Sequence, residues 1–340
     1  MKQVIMLLVV SVICIAHSAR SHASGLCCQL SSGVQESLAG VAAPGEHEAI
    51  VQFTYSFTRM DKIKEGSAER SLDSVMATTA YTSLPVSMDM IKYTMTAGYG
   101  FSRALKAFVS IPFIRNTMDM TSNQGAMMGW MDMTMEPVSG PGDVTVMGLY
   151  RLNADREFMP TQAVNLGIGV KTATGSSTER SASGRLVHAH MQPGTGSWDP
   201  LVSVMYTRIA SPFLLQADAT YQYTTKNRQA YELGDSLAIN LSGKYDMVKQ
   251  FNVTAGLTYL NVGRASDPDG SYYNPATNSS LMDDPANTGG KSLWLSPGIQ
   301  VIPARNLLID LKLQAPVWEN VNGIQLVATY RFLAGISYNF

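Results

Sequence analysis

Alternation of apolar and polar residues over unusually long stretches constrains this chain more than any other feature. In 236–247 Leu237, Ile239, Leu241, Tyr245 and Met247 share one face, and Ala238, Asn240, Ser242, Lys244 and Asp246 share the other. Side chains point to opposite faces of a strand with a period of two, so this pattern specifies strands with one apolar face. Segments 213–224, 251–260 and 307–317 repeat it. A soluble sandwich is built from strands of about five or six residues, whereas these run to about 10–14. That length, with a charged polar face, fits strands that cross a membrane at a tilt, apolar outside and polar inside.

Composition supports the same solvent. Charged residues are 15% of the 340, against roughly 25% in soluble domains. Lys plus Arg number 25 and Asp plus Glu 26. That balance lacks the basic footprint of nucleic-acid binding, so no nucleic-acid partner is expected. The N-terminus reads as an export signal: Lys2, an apolar run from Val4 to Ala16 too short to span, and small residues at Ser21 and Ala23. Residues 1–23 are therefore expected to be removed, leaving a mature charge of 23 − 26 = −3. Segment 24–45 is expected to lie in the periplasm or to plug the lumen, and 46–340 to form the barrel. Cys27 and Cys28 are adjacent, without the spacing of a metal or redox motif.

Twelve strands can be placed, at about 47–59, 87–99, 105–116, 142–153, 161–174, 200–209, 213–225, 235–248, 250–265, 291–303, 306–318 and 325–340. Connections after the even strands are short, such as Ala210-Ser211-Pro212 and Lys249. Those after the odd strands are long, at 60–86, 117–141, 175–199, 226–234 and 266–290, with only 319–324 short. Short turns at one end and long loops at the other mark outer-membrane barrels. The expected fold is thus all-β: a transmembrane antiparallel β-barrel of about twelve strands in the bacterial outer membrane, both termini periplasmic. Tyr55, Phe57, Tyr93, Tyr99, Phe113, Tyr150, Tyr206, Tyr221, Tyr223 and Tyr259 stand near strand ends, where aromatic belts form. The last strand alternates to a terminal Phe340. It resembles the recognition signal of outer-membrane barrels and implies the barrel-assembly machinery as a partner.

A family resemblance enters through three stretches. They are Gly142-Asp143-Val144-Thr145-Val146-Met147-Gly148-Leu149-Tyr150-Arg151-Leu152, Gly167-Ile168-Gly169-Val170-Lys171-Thr172-Ala173-Thr174-Gly175 and Gln192-Pro193-Gly194-Thr195-Gly196-Ser197-Trp198-Asp199-Pro200. They resemble motifs of a family of exported bacterial barrels assigned to the MetA pathway of phenol degradation. Ala173 stands where the family has Pro. The resemblance implies an outer-membrane transporter of small aromatic or apolar compounds.

Alternation also assigns the lumen. Lys92, Lys106, Arg151, Lys171, Lys244, Lys312 and Arg331 are expected inward with Asp218, Asp246 and Asp310. Seven cations against three acids imply some anion preference, while the cost of burying unpaired charge implies that most of them pair. The chain has 20 methionines, seven of them between 118 and 135. Met118, Met120, Met131 and Met133, with His188 and His190, are a candidate Cu(I) set, since thioethers are soft donors. The competing expectation is an adaptable apolar surface that folds into the lumen or grips apolar solutes. Asp267-Pro268-Asp269-Gly270 and Asp283-Asp284 carry only a fragment of a calcium-loop pattern. No nucleophile can be set beside a base: the mature chain has only His47, His188 and His190, and no Gly-x-Ser-x-Gly elbow. No enzyme and no resident cofactor are expected. The function expected is an outer-membrane channel for small-molecule solutes. The alternatives are a copper-binding surface protein and a barrel that conducts nothing.

Overall fold

A computed structural model describes residues 43–274, 276 and 279–340. The expected export signal at 1–23, Cys27, Cys28 and nearly all of 24–45 lie outside the described residues. The strands are β1 (Ala49–Glu65), β2 (Ala68–Arg70), β3 (Ser83–Gly100), β4 (Leu105–Asn123), β5 (Trp130–Thr134), β6 (Val138–Pro141), β7 (Thr145–Ala154), β8 (Gln162–Lys171) and β9 (Asp199–Ala210). They continue as β10 (Phe213–Gln222), β11 (Ser236–Val248), β12 (Phe251–Val262), β13 (Gly290–Ala304), β14 (Leu307–Val321) and β15 (Ile324–Asn339). Among the described residues a single α-helix, α1 (Leu72–Thr78), lies between β2 and β3, and no helix is long and apolar enough to cross a membrane.

Twelve strands form the wall in the order β1, β3, β4, β7 and then β8 to β15, each antiparallel to the next. β15 pairs back onto β1 from Ile50↔Asn339 to Glu65↔Ile324, which closes the barrel and leaves no free edge. Each of the twelve expected strands corresponds to one wall strand. The wall faces follow the alternation: in β10 Gln216, Asp218 and Thr220 are buried while Phe213 and Leu215 are exposed on the outside.

An aromatic belt rings the short-turn end. Tyr99 meets Phe101 at 5.0 Å, Phe213 meets Tyr245 at 5.1 Å and Tyr338 meets Phe340 at 4.8 Å between ring centroids. These rings are exposed on the outer face, where an apolar body faces lipid and a polar atom stays near water.

The long-loop end departs from simple alternation. β1, β3 and β4 run to 17, 18 and 19 residues, beyond their expected ends. The stretch 117–141, expected as a loop, is strand over much of its length: β4 continues to Asn123, and β5 and β6 pair with it. Register shifts in β1 and between β13 and β14 change which parity faces inward. Straight alternation from Asp310 would place Trp318 inside. Instead Trp318 is exposed and Glu319 is buried, 2.8 Å from Lys64 Nζ. A bulge adds one residue to one strand, so it resets the alternation.

Candidate functional site

The mouth at the long-loop end is apolar inside. Met60 and Ile63 of β1, Leu84, Met88 and Met90 of β3, Met118 and Met120 of β4, Trp294 of β13, and Ile324 and Leu326 of β15 form one buried cluster. Three connections complete it: Val75 from α1, Val187 and Met191 from 172–198, and Leu281 from 263–289. Six of its members are methionines, which fill irregular space because the side chain is unbranched and its sulfur polarisable.

Loop 172–198 is turned into this mouth. Asn116, an inward residue of β4, donates its Nδ2 hydrogen to Met191 O at 3.1 Å. Gln192 holds the fold of the loop: its Nε2 donates to Val187 O at 3.0 Å and Glu179 O at 3.1 Å, and its Oε1 accepts from Glu179 N at 2.9 Å. His188 Nδ1 lies 2.7 Å from Asp283 Oδ1 and ties the loop to 263–289. Loop 263–289 is held in turn by Tyr81, whose hydroxyl donates to Asp284 at 2.6 Å. Burial and the neighbouring carboxylate raise the Tyr81 hydroxyl well above its ordinary range, so it keeps its proton.

Both ends of loop 172–198 meet at an ion-pair clasp. Lys171 closes β8 and Asp199 opens β9; Asp143 stands two residues before β7. The Lys171 ammonium lies 2.9 Å from Asp143 Oδ2 and 2.8 Å from Asp199 Oδ2, and also donates to Thr195 Oγ1. Asp143 accepts from Gly175 N at 2.9 Å and from both Thr195 N and Thr195 Oγ1 at 2.8 Å. Asp199 is fully buried and accepts from Thr225 N at 3.0 Å and Gln222 Nε2 at 3.3 Å. Two carboxylates share one ammonium, and backbone N–H donors offset the surplus negative charge. The backbones here touch: a Cβ on Gly194 would stand 2.5 Å from the Cα of Gly175, so neither position has room for a side chain.

Sequence reasoning named Lys171 as a lumen residue but missed its partners Asp143, Thr195 and Asp199. All four lie within the three stretches that carry the family resemblance, and the signal was the co-occurrence of those stretches. Lys64 and Glu319 were missed because β1 and β14 run past the strand ends expected at 59 and 318, which left both residues in connections.

The other residues expected in the lumen differ in burial and partners. Lys92 and Arg331 are buried; Arg331 Nε donates to Thr58 Oγ1 at 2.9 Å, and its guanidinium sits 5.9 Å from the Trp294 ring centroid. Lys244 is 2.9 Å from Asp246, and Lys312 is 3.9 Å from Asp310. Asp218 accepts from Asn240 Nδ2 at 2.8 Å. Lys106 and Arg151 lie toward the short-turn end, where Arg151 Nη1 donates to Glu157 O at 3.4 Å. Asp218 and Asp310 are buried, whereas Asp246 is exposed, so the cost of burying a charge bears on the first two only.

The methionines expected as metal ligands divide. Register places Met120 opposite Met133, and Met118 and Met131 on that same face of the β4–β5 hairpin. Met118 and Met120 are 1% and 2% exposed inside the apolar cluster, whereas Met131 and Met133 are 47% and 49% exposed. His190 is buried beside Met191, and His188 is engaged by Asp283. The fragmentary calcium pattern serves the backbone instead: Asp267 accepts from the amides of Ser271, Tyr272 and Tyr273 at 2.8–2.9 Å.

Comparison with solved structures places the architecture. An outer membrane channel from Pseudomonas putida F1 superposes with a TM-score of 0.54 at 13% identity, over 88% of this chain and 97% of that one. The NanC porin gives 0.43 at 10% identity, over 84% and 98%. The toluene transporter TbuX of Ralstonia pickettii gives 0.42 at 9%, over 94% and 98%. The first shares the fold. No curated protein matches the chain in sequence. The family described as "Putative MetA-pathway of phenol degradation" matches residues 86–323, well over half of the chain and all three stretches that build the clasp. The chain is an outer-membrane β-barrel and belongs to that family.

Proposed function

We propose that the protein is a channel for small solutes with an aromatic or apolar body, and that loop 172–198 is the element that must yield for them to pass. The observation that carries this reading is the mouth: six buried methionines from four parts of the chain, closed over by an inward loop. A methionine surface adapts to ligands of different shape, and thioethers contact aromatic rings favourably, by about 0.3–1.5 kcal/mol each. Below the mouth the wall turns polar and carries Lys92, Lys312 and Arg331, which suits solutes with an acidic group. The family's description, phenol degradation, agrees with such a cargo.

The test is flux into proteoliposomes of benzoate and 4-hydroxybenzoate, which cross lipid poorly as anions, with glycerol as a polar reference. Replacing Met88, Met90, Met118 and Met120 by Leu should preserve aromatic flux, because Leu keeps apolar volume at small cost. Replacing them by Ser should reduce it severalfold relative to glycerol. Equal aromatic flux through protein-free vesicles and wild-type proteoliposomes would rule the reading out.

A Cu(I) site on Met118, Met120, Met131 and Met133 is the weaker reading. Two of these thioethers belong to the apolar core and two to the surface, and Asp119 and Asp132 beside them are hard donors.

A further inference from the structure

Three long loops border an open-sided cavity of about 360 Å³ at the long-loop end. They are 172–198, 223–235 and 263–289. Tyr231 and Tyr272 meet edge to face at 4.8 Å beneath it, packed with Leu186 and Leu233, so the loops share a small core of their own. The Tyr272 hydroxyl donates to Ser177 O at 2.9 Å and fixes the ring between two loops. Arg180, Arg185, Leu186, Gln229, Tyr272 and Asp283 are among the cavity's lining residues.

The two arginines flank a tight turn and both line the cavity. Arg180 pairs with Leu186 across an antiparallel bridge, and Gly184 takes a left-handed φ of 78° at the tip. Arg180 spends one N–H on Gly184 O at 2.7 Å; a guanidinium has five. The one acid among the cavity's lining residues, Asp283, is 4% exposed and has His188 Nδ1 at 2.7 Å from its Oδ1. Beside that acid the lining presents two guanidinium forks, one aromatic ring, one leucine, the primary amides of Gln229 and Asn274, and the Ser271 hydroxyl. The cavity's volume lies within the usual range for small-molecule sites, about 300–1,000 Å³.

We infer that this cavity is a capture site for small organic anions with a flat apolar body, such as aromatic carboxylates. The arginine forks take the carboxylate, since guanidinium geometry matches two oxygens at once. Leu186 and Tyr272 take the ring. The site lies on the loops that roof the mouth, next to His188 of the inward loop. A bound anion is thereby concentrated at the entrance to the lumen cations. Its use in transport rests on the channel reading above; the binding itself does not.

The experiment is equilibrium dialysis of the folded full-length protein in detergent against labelled benzoate. Benzamide serves as the uncharged counterpart and inorganic phosphate as the anion without a ring. Saturable one-to-one benzoate binding is expected. Benzamide and phosphate should each bind at least about tenfold more weakly, the loss of roughly one charge-assisted contact set. R180Q/R185Q should weaken benzoate at least about tenfold, and R180K/R185K less. Both arginines are exposed, and an unchanged electrophoretic shift on heating would verify folding of the variants. Absent benzoate binding, equal binding of benzamide or phosphate, or unchanged binding by R180Q/R185Q would each overturn the assignment. Benzoate flux separates the two readings: binding without flux leaves the capture site standing and removes the channel.

Discussion

Replacing Lys171 by Met would take the only ammonium out of the clasp while keeping much of the side chain's volume. Asp143 and Asp199 would then face each other, nearly or fully buried, without a cation. Breaking a buried ion pair by removing one partner typically costs about 3–5 kcal/mol. The donors that remain, from Gly175, Thr195, Thr225 and Gln222, place the expected loss at the lower end, about 3 kcal/mol. The barrel wall does not depend on this contact, so the cost falls on the seating of loop 172–198. At about 1.4 kcal/mol per factor of ten, opening of the loop should rise roughly 150-fold. Met191 is fully buried when the loop is seated. A Met191→Cys probe, with Cys27 and Cys28 changed to Ser, would report opening as its rate of maleimide labelling. The triple variant D143N/K171M/D199N should recover part of the loss, because it removes the buried charges along with their partner. The reasoning is refuted if K171M labels at the wild-type rate, or if the triple variant opens more readily than K171M.

Other outcomes follow from the wall and the lumen. Leu241 is 56% exposed on the outer face, so L241R should lower the yield of folded barrel, at about 2–4 kcal/mol for a charge near the midplane; S242R, on the inner face, should not, and equal yields would show the faces misassigned. G194A should mimic K171M in labelling at position 191, since a methyl group there collides with Gly175; wild-type labelling would separate the close backbone contact from loop seating. Changing Lys244 and Lys312 to Gln should lower anion preference in reversal-potential measurements, and a cation-selective wild type would exclude the lumen cations as its source.

Much of this architecture was legible in the chain itself. Alternation is a local property: the face that Leu241 or Ser242 occupies depends only on the pleat and on which solvent each face meets. Twelve strands, their order and the long-short rhythm of their connections follow from reading residues in turn, and the all-antiparallel closure follows from the need to satisfy every backbone group in lipid. The bulges at Met60 and near Trp318 were not legible, because one inserted residue resets the parity without changing composition. The clasp was half legible. Its motifs stood out, but that Lys171 lies between Asp143 and Asp199 depends on β7, β8 and β9 being neighbours, which brings residues 28 positions apart on either side within hydrogen-bond range. The methionines show the same division. Their abundance is a fact of sequence, and so is their suitability for an adaptable apolar surface. That Met118 and Met120 enter a core while Met131 and Met133 remain at the surface was decided by the tertiary structure alone. The same thioether gains from burial only where β1, β3, β4, β13, β15 and two inward loops supply atoms to pack against, and no single segment specifies that meeting.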